Sequence, residues 1–256
     1  MNRKKTAMFL VSMALMTATP ALAQKYKVAK VERTRILIDK QWDAEPDAEA
    51  AKFIASYKNR VDSIMGPVVG TAAHALNRYP PESELSNLLC DILIWGGKAF
   101  GEKPDFSVYN MGGIRSNFAK GDITVGDVIE VAPFENKICF LTLTGDKVLE
   151  LFRQIAHRGG EGLSHGVKAV ITRDGKLKSV TINGEPVDPN KSYRIATLDY
   201  LAEGNDQLTA FKSGTDVLSP KKKENNVRFI IMDYMREKTK NGETISSKIE
   251  GRCKVL

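Results

Sequence analysis

Apolar residues recur at helical spacing in several stretches of the chain. Across residues 47–65 the apolar side chains return every three or four positions, and Asp47 stands in front of them as a helix N-cap. Residues 84–100 are mostly apolar, which predicts a largely buried helix that Gly96 and Gly97 fray or end. The same spacing predicts helices over residues 146–157 and 226–240.

Strand patterns lie between these helices. Residues 137–144 (KICFLTLT) alternate as a strand does, and residues 104–110 (PDFSVYN) lead into a glycine loop. The dipeptides Asp174-Gly175 and Asn183-Gly184 are typical of tight hairpin turns. Further strands are predicted over 67–73, 167–171, 177–182 and 193–197, and the last residues, CKVL, are compatible with an edge strand.

The order of these elements indicates the fold class. Helices and strands interleave, but hairpins join several neighbouring strands, which a purely parallel sheet does not allow. The sequence therefore predicts an α+β fold in which helices are layered on mixed β-sheets. No internal repeat or long linker is present, so we expect one domain over residues 47–256. Residues 24–46 are predicted to be a lead-in that forms an edge strand, an extended arm or a partly ordered segment.

The first residues have the pattern of a secretory signal. Arg3, Lys4 and Lys5 precede the apolar run AMFLVSMALM, and a small-x-small pattern ends at Ala23. The run is too short to span a membrane as a helix. We therefore expect residues 1–23 to be a signal peptide and the protein to be exported, with a periplasm as the expected compartment. Gln24 would be the first mature residue, and a Gln there argues against a lipid anchor.

Charge and cysteine content exclude several classes of protein. The formal charge of +7 falls to +4 without the three basic residues of the signal, which is too mild to imply binding of a nucleic acid polymer. The run Lys221-Lys222-Lys223 is most simply interpreted as a solvated loop, and only a local cluster of Arg would support an anionic ligand. Cys90 and Cys139 lie in apolar runs and are expected to be buried, and three widely spaced cysteines do not make a disulfide framework. The sequence also lacks the spacing of a metal site.

The loop VYNMGGIRSNF at residues 108–118 carries the first candidate chemistry. Glycines at a strand end let the backbone approach a ligand and turn its N–H groups toward it. Asn110 can both donate and accept, and the planar fork of Arg115 suits a phosphate or carboxylate. Asn110, Gly112, Gly113 and Arg115 therefore suit a small polar ligand with anionic character, although a plain structural turn fits the same pattern.

Further motifs follow in a fixed order. The loop motif N-x-G-G-I-R precedes G-D-I-T at 121–124, P-F-E-N at 133–136 and L-T-G at 143–145, and Asn205-Asp206 and E-G-R at 250–252 come later. Upstream, ESELSNLLCD at 82–91 has Arg78 close before it. In this set and order the chain resembles the C-terminal domain of the periplasmic and cell-surface 5′-nucleotidases and UDP-sugar hydrolases. The resemblance covers about residues 47–256.

The resemblance implies a role for particular residues. In that family this domain binds the nucleotide, so Asn110, Gly112, Gly113 and Arg115 would contact the nucleoside and its phosphate, and Phe134 would stack on the base. Arg78 corresponds only approximately to a further family arginine. The family's second stacking aromatic has no evident counterpart, because Leu208 stands in its place and Phe211 reads as a core residue. An acidic residue that holds the ribose also lacks an obvious match, so we expect weak affinity, on the order of millimolar to tens of micromolar.

The family's hydrolytic step depends on a separate metallophosphatase domain whose two metal ions activate water. Its D-x-H and G-N-H-[DE] motifs do not occur in this sequence, where His74, His157 and His165 are scattered. We therefore expect no catalytic residue, no metal and no cofactor in this chain. Divalent metals are expected only in a separately encoded partner phosphatase.

Three hypotheses follow from the sequence. In the first, the chain is a nucleotide-binding module that completes a nucleotidase together with a metallophosphatase chain. In the second, it acts alone as a phosphatase, with His157 and His165 as the candidate bases near neutral pH. In the third, it is a repurposed scaffold that docks a partner and binds no nucleotide, and Leu208 in place of an aromatic is the main support for that hypothesis.

Overall fold

The computed structural model describes residues 28–40 and 47–256. The predicted signal peptide at 1–23 lies outside these residues. The chain divides into two compact units, Met1–Ala51 and Lys52–Leu256. In the first unit, residues 28–38 form neither helix nor strand and are exposed, so the predicted edge strand is absent from that part of the lead-in. The second unit holds the hydrophobic core.

Helix α1 spans Ala48–Met65. Asp47 begins it as predicted, because its Oδ1 accepts hydrogen bonds of 3.0 Å from the backbone amides of Glu49 and Ala50. No residue of the helix is buried. Its large apolar side chains, which we call the apolar face of α1, are 52–71% exposed: Phe53, Ile54, Tyr57, Val61 and Ile64. The amphipathic pattern is present, but nothing in the described residues covers its apolar side.

The elements that follow are, in chain order, β1 (Val68–Ala72), α2 (Glu84–Gly96), β2 (Phe106–Tyr109), β3 (Gly121–Thr124), α3 (Val125–Val131), β4 (Ile138–Thr144), α4 (Gly145–His157), β5 (Gly162–Leu163), β6 (Val167–Ile171), β7 (Leu177–Ile182), β8 (Glu185–Pro186), β9 (Ser192–Leu198), α5 (Asp199–Ala202), β10 (Thr215–Leu218), α6 (Val227–Lys240) and β11 (Cys253–Val255). None of the helices in the described ranges is long and apolar enough to cross a bilayer.

The strands form three sheets. β1 pairs with β3, a five-stranded sheet has the order β10-β4-β9-β2-β5, and a four-stranded sheet has the order β11-β6-β7-β8. β2 runs parallel to β9 and β11 runs parallel to β6, whereas the remaining pairs are antiparallel. Both larger sheets are thus mixed, and helices pack against them. The predicted α+β fold with layered helices on mixed sheets is confirmed.

Several local predictions are also confirmed. The second helix ends at Gly96, after which the chain tightens into a 3₁₀ helix over Gly97–Phe100. The residues CKVL do form an edge strand, β11. Asn183 and Gly184 have φ values of 52° and 87°, as the tight turn between β7 and β8 requires. All three cysteines are buried free thiols.

Two of the sequence motifs have a structural role at the end of the chain. Arg252 is only 3% exposed, and its guanidinium donates to both carboxylate oxygens of Asp91 on α2, at 2.8 and 2.7 Å. The same group donates to the Leu163 carbonyl oxygen at 2.9 Å and, through Nε, to Glu250 at 3.0 Å. Glu82 accepts from the Glu250 backbone amide at 2.7 Å. The E-S and E-G-R motifs thus fasten the last strand to α2.

Replacing Arg252 should destabilise the fold strongly. In Arg252→Leu the partly exposed carboxylate of Asp91 loses its bidentate partner and the buried Leu163 carbonyl oxygen loses a charged donor, which together cost about 1–3 kcal/mol. Urea unfolding followed by circular dichroism measures this change. Lys254→Gln, on the exposed side of the same strand, is the matched control and should stay within about 0.5 kcal/mol of the original. Equal stability of the two variants would contradict the structural role of Arg252.

Candidate functional site

Three chain segments converge at one edge of the five-stranded sheet. β2 and β9 run parallel, with Phe106 opposite Ile195, so their carboxyl ends lie at the same edge. β4 is antiparallel to β9, and Ile138 at its start lies opposite Leu198 at the end of β9. The residues after β2, after β9 and before β4 therefore meet, and the carboxyl edge of parallel strands is a common position for a ligand site.

A cavity of about 220 Å³ opens where these segments meet. Of the residues predicted to bind substrate, Asn110, Gly112, Gly113 and Phe134 lie in its wall, whereas Arg78 and Arg115 do not. The Phe134 ring is 48% exposed, so it is available to a ligand rather than packed in the core. The full set of lining residues is Asn110, Gly112, Gly113, Phe134, Asn136, Arg158, Tyr200 and Asp206.

A second aromatic residue lies in the cavity wall, contrary to the sequence-based expectation. Tyr200, 37% exposed, lies in α5, two residues after the end of β9, and lines the same cavity as Phe134. Leu208 and Phe211 are both buried in the core, so the interpretation of Phe211 as a core aromatic is confirmed. In the family motif the aromatic residue comes after the position that Asp206 has here. In this chain the aromatic residue in the cavity wall is Tyr200, which comes before Gly204 of the same loop. Tyr200 could have been identified from its position just after the end of β9, since this strand runs parallel to β2.

An acidic residue, Asp206, also lines the cavity. Its Oδ2 accepts a hydrogen bond of 2.6 Å from Asn110 Nδ2, and its Oδ1 accepts one of 3.0 Å from the Tyr200 hydroxyl. The bond to Asp206 raises the pKa of the Tyr200 phenol. Asp206 and Gln207 have φ values of 53° and 61°, and this left-handed turn directs the carboxylate into the cavity. Asp206 thus fixes side chains from two separate strands around one space.

A guanidinium that the sequence does not single out completes this side of the cavity. Arg158 follows α4, and its Nη2 lies 3.6 Å from Asp206 Oδ2. Its Nε donates to Glu161 at 2.5 Å, and the other oxygen of Glu161 accepts from the backbone amide of Met111. Burial raises the pKa of Glu161. The buried carboxylate therefore holds both Arg158 and the glycine loop, and no short motif marks either charged residue.

The glycine loop encloses an unsatisfied acceptor beside the cavity. Asn110 is 4% exposed, and its Oδ1 has no hydrogen-bond partner within the described ranges. A Cβ atom on Gly113 would lie 2.6 Å from that oxygen, whereas one on Gly112 would meet nothing nearer than 4.0 Å. Gly113 is therefore needed for the Asn110 orientation, and Gly112 keeps a surface open to the cavity. The unpaired oxygen is fully enclosed, so it lies beside the cavity and is not part of the surface that a ligand can reach.

The two predicted arginines donate hydrogen bonds to the glycine loop but do not line the cavity. Arg115 Nη1 donates to the Gly112 carbonyl oxygen at 3.3 Å, and Arg78 Nε donates to the Met111 carbonyl oxygen at 3.0 Å. Both side chains are exposed. They therefore bring two positive charges to the loop that forms one wall of the cavity. Phe134 and Arg115 are attached to different segments that meet there.

The histidines are placed away from this cavity. His157 lies in a separate depression with Thr172 and Asp174, and His165 Nδ1 lies 2.8 Å from Glu250 Oε2. Across residues 28–40 and 47–256, no group of three or more His, Cys, Asp or Glu side chains is arranged to hold a metal ion. The cavity wall contains stacking, donor and acceptor groups, so its chemistry is that of binding a flat polar ligand.

The two glycines allow a matched test of the loop. Gly113→Ala should force Asn110 out of position and destabilise the protein by about 1–3 kcal/mol, since the added methyl group overlaps a buried side chain. Gly112→Ala should change stability by less than about 0.5 kcal/mol because open space surrounds its Cβ position. Urea unfolding of both variants provides the measurement. If Gly112→Ala is as destabilised as Gly113→Ala, the packing described for Asn110 is wrong.

The chain is similar to several known proteins. UshA of Escherichia coli is 38% identical over 105 residues, which is 40% of this chain and 19% of UshA. UshA of Yersinia enterocolitica is 30% identical over 187 residues, covering 71% of this chain and 34% of that protein. The crystal structure of the 5′-nucleotidase precursor from Thermus thermophilus matches with a TM-score of 0.71 and 27% identity, over 84% of this chain and 44% of that one.

The chain thus spans less than half the length of each of these relatives. Residues 68–213 match the sequence profile described as "5′-nucleotidase, C-terminal domain". This range includes all three segments that converge on the cavity, from the glycine loop to Tyr200 and Asp206. On this match, together with its α+β fold, the chain belongs to the family of 5′-nucleotidase C-terminal domains.

Proposed function

We propose that the chain is an exported nucleotide-binding module of a 5′-nucleotidase-type hydrolase, which binds base and phosphate for a separately encoded dimetal phosphatase. The observation that carries the proposal is the pair of partly exposed rings, Phe134 and Tyr200, in the wall of one cavity. Export, and a periplasmic location, belong to the proposal and rest on the signal pattern of residues 1–23.

The cavity wall has complementary groups for a nucleoside. Stacking of a base on an aromatic side chain contributes about 1–3 kcal/mol, and two rings offer both faces. The Asp206 carboxylate is an acceptor for sugar hydroxyls or ring N–H groups, and Asn136 can donate or accept. The expectation of weak affinity assumes one ring and no acidic partner. With Tyr200 and Asp206 in the wall, we propose tighter binding, on the order of micromolar.

The phosphate would be bound by the two arginines that donate to the glycine loop. Arg115 and Arg78 each use one N–H group on a loop carbonyl oxygen and keep exposed guanidinium edges. A guanidinium suits a phosphate because its N–H groups can donate in parallel. This division of roles makes base binding and phosphate binding separable by substitution.

Titration of adenosine and AMP tests the binding role. Phe134→Ala and Tyr200→Ala should each weaken both ligands by about tenfold or more, from the loss of one stacking face. Arg115→Ala should weaken AMP by about tenfold and leave adenosine nearly unchanged, since only AMP carries the phosphate. Isothermal titration calorimetry measures the affinities.

Phe53→Ala, which removes a ring from α1 outside the cavity, is the control for these variants. It should bind both ligands like the original protein. If the original protein binds neither ligand, or if Phe134→Ala and Phe53→Ala behave alike, the proposed binding role fails.

A partner that supplies the metal ions is the second element of the proposal. A dimetal phosphatase polarises the phosphate and activates water, and the described residues show no comparable metal site. The apolar face of α1 supports a protein partner, because an isolated helix is marginally stable until its apolar side is covered. The Thermus thermophilus relative is titled a 5′-nucleotidase precursor, and more than half of its length lies outside the match.

Mixing the chain with a metallophosphatase that lacks its own C-terminal domain tests for this partner. Nucleotide hydrolysis should rise by about tenfold or more, since bound substrate is delivered in a fixed orientation. Ile54→Lys on α1 should reduce the gain, and Phe134→Ala should abolish it without preventing association. Absence of both association and gain would remove the partner from the proposal, whereas robust turnover by the isolated chain with added Mn²⁺ would favour the self-sufficient enzyme.

The scaffold hypothesis shares the apolar face of α1 with the proposal, but its own main argument is weaker in the folded chain. Its main argument is Leu208 in place of a stacking aromatic, but Leu208 is a core residue and Tyr200 occupies the cavity wall. The scaffold hypothesis would be favoured if neither adenosine nor AMP bound in the titrations while the partner still associated.

A further inference from the structure

A second cavity lies on the other side of the turn that carries Phe134. Residues 134–137 alternate, with Phe134 and Asn136 in the wall of the cavity described above and Glu135 and Lys137 in the wall of the second. This second space has a volume of about 400 Å³. Its lining residues are Glu135, Lys137, Lys221, Lys223 and Asn226, and we call it the lysine cavity.

The lysine cavity carries excess positive charge. None of its three lysines forms an ion pair within the portion of the chain that the structure describes. Lys137 Nζ lies 3.4 Å from the Glu135 carbonyl oxygen and Lys221 Nζ 3.2 Å from Ser219 Oγ, which are weak neutral contacts. Glu135 is the single carboxylate in the wall, so the lining residues carry a surplus of two positive charges.

A buried amide donor points to a ligand independently of the lysines. Asn226 is 3% exposed and caps α6, since its Oδ1 accepts from the Arg228 backbone amide at 3.1 Å. Its Nδ2 makes no hydrogen bond to any residue in 28–40 or 47–256, although Asn226 lines the cavity. The α6 N-terminus also adds its favourable dipole for a negative charge. The Nδ2 atom is not fully enclosed, so an acceptor oxygen in the cavity can reach this donor.

We propose that the lysine cavity is a binding site for a small phosphoryl oxyanion, with inorganic phosphate as its simplest occupant. Three ammonium groups, one buried amide donor and the positive end of a helix dipole match a compact dianion with several acceptor oxygens. A monovalent carboxylate offers two oxygens and half the charge, which makes it a poorer match. This site is separate from Arg78 and Arg115, and it does not depend on the proposed nucleotide binding.

The lysine run provides a matched set of variants. The double variant Lys221→Gln with Lys223→Gln removes two charges from the wall, whereas Lys222→Gln removes a neighbouring charge that does not line the cavity. Asn226→Asp keeps an acceptor for capping α6 but replaces the free donor with an oxygen, so helix stability is retained while the anion is repelled. Glu135→Gln removes the one carboxylate from the wall and should have the opposite effect.

The test is a titration of the full chain with inorganic phosphate at low ionic strength. Calorimetry and the ¹H–¹⁵N chemical shifts of side-chain amides measure the binding. We expect binding to weaken about tenfold or more in the double variant and in Asn226→Asp. Lys222→Gln should change it less than about threefold, and Glu135→Gln should strengthen it. The absence of phosphate binding to the original protein overturns the proposal, and so does an equal loss in Lys222→Gln and the double variant.

Adenosine and AMP distinguish the two sources of phosphate. If the site takes free phosphate, the double variant binds both ligands like the original protein. If it takes the phosphate of the nucleotide, the double variant binds AMP more weakly and adenosine normally, which also supports the site and identifies its occupant. Loss of adenosine binding in the double variant would instead show that the turn has been disrupted, and the lysine cavity would then not be a separate site.

Discussion

The parallel pairing of β2 with β9 is the constraint on which the candidate site depends. It places Asn110 and Tyr200, which are far apart in sequence, at the same edge of one sheet. The antiparallel neighbour β4 then brings the turn with Phe134 to that edge, because its start lies opposite the end of β9. The two rings lie in segments that flank adjacent strands, so their positions are restrained by the sheet, which would reduce the entropic cost of the proposed binding.

Asp206 converts this convergence into a defined cavity. Its two oxygens accept from Asn110 and from the Tyr200 hydroxyl, and Arg158 lies close enough to balance its charge. A carboxylate in this position is desolvated at a cost, and several donors together offset that cost. Glu161 has a similar role deeper in the protein, where it holds Arg158 and the Met111 amide. The cavity is therefore lined by side chains whose orientations are already restrained.

Short-range information is sufficient for the elements and for some of the site. The period of apolar residues locates α1, α2, α4 and α6, and the hairpin dipeptides indicate mixed sheets. The glycine loop is recognisable because N-x-G-G-I-R combines a strand end, two glycines and a guanidinium in six consecutive positions. Phe134 is identifiable because its turn contains a proline and an amide. The motifs around Asp91 and Arg252 are visible too, but their role as a clasp between α2 and the last strand is not.

Local preferences are readable from the amino-acid order alone: which segments are helix or strand, where turns fall, and that a polar loop with a fixed positive charge follows β2. Which residues share a cavity depends instead on the folded chain, because strand order and register follow from contacts between distant segments. Tyr200 lies in the cavity wall although no motif marks it, Asp206 turns inward through a left-handed bend, and Arg115 and Arg78 donate to the glycine loop without lining the wall. Spacing along a chain does not encode such proximity, since it follows from how the strands pair.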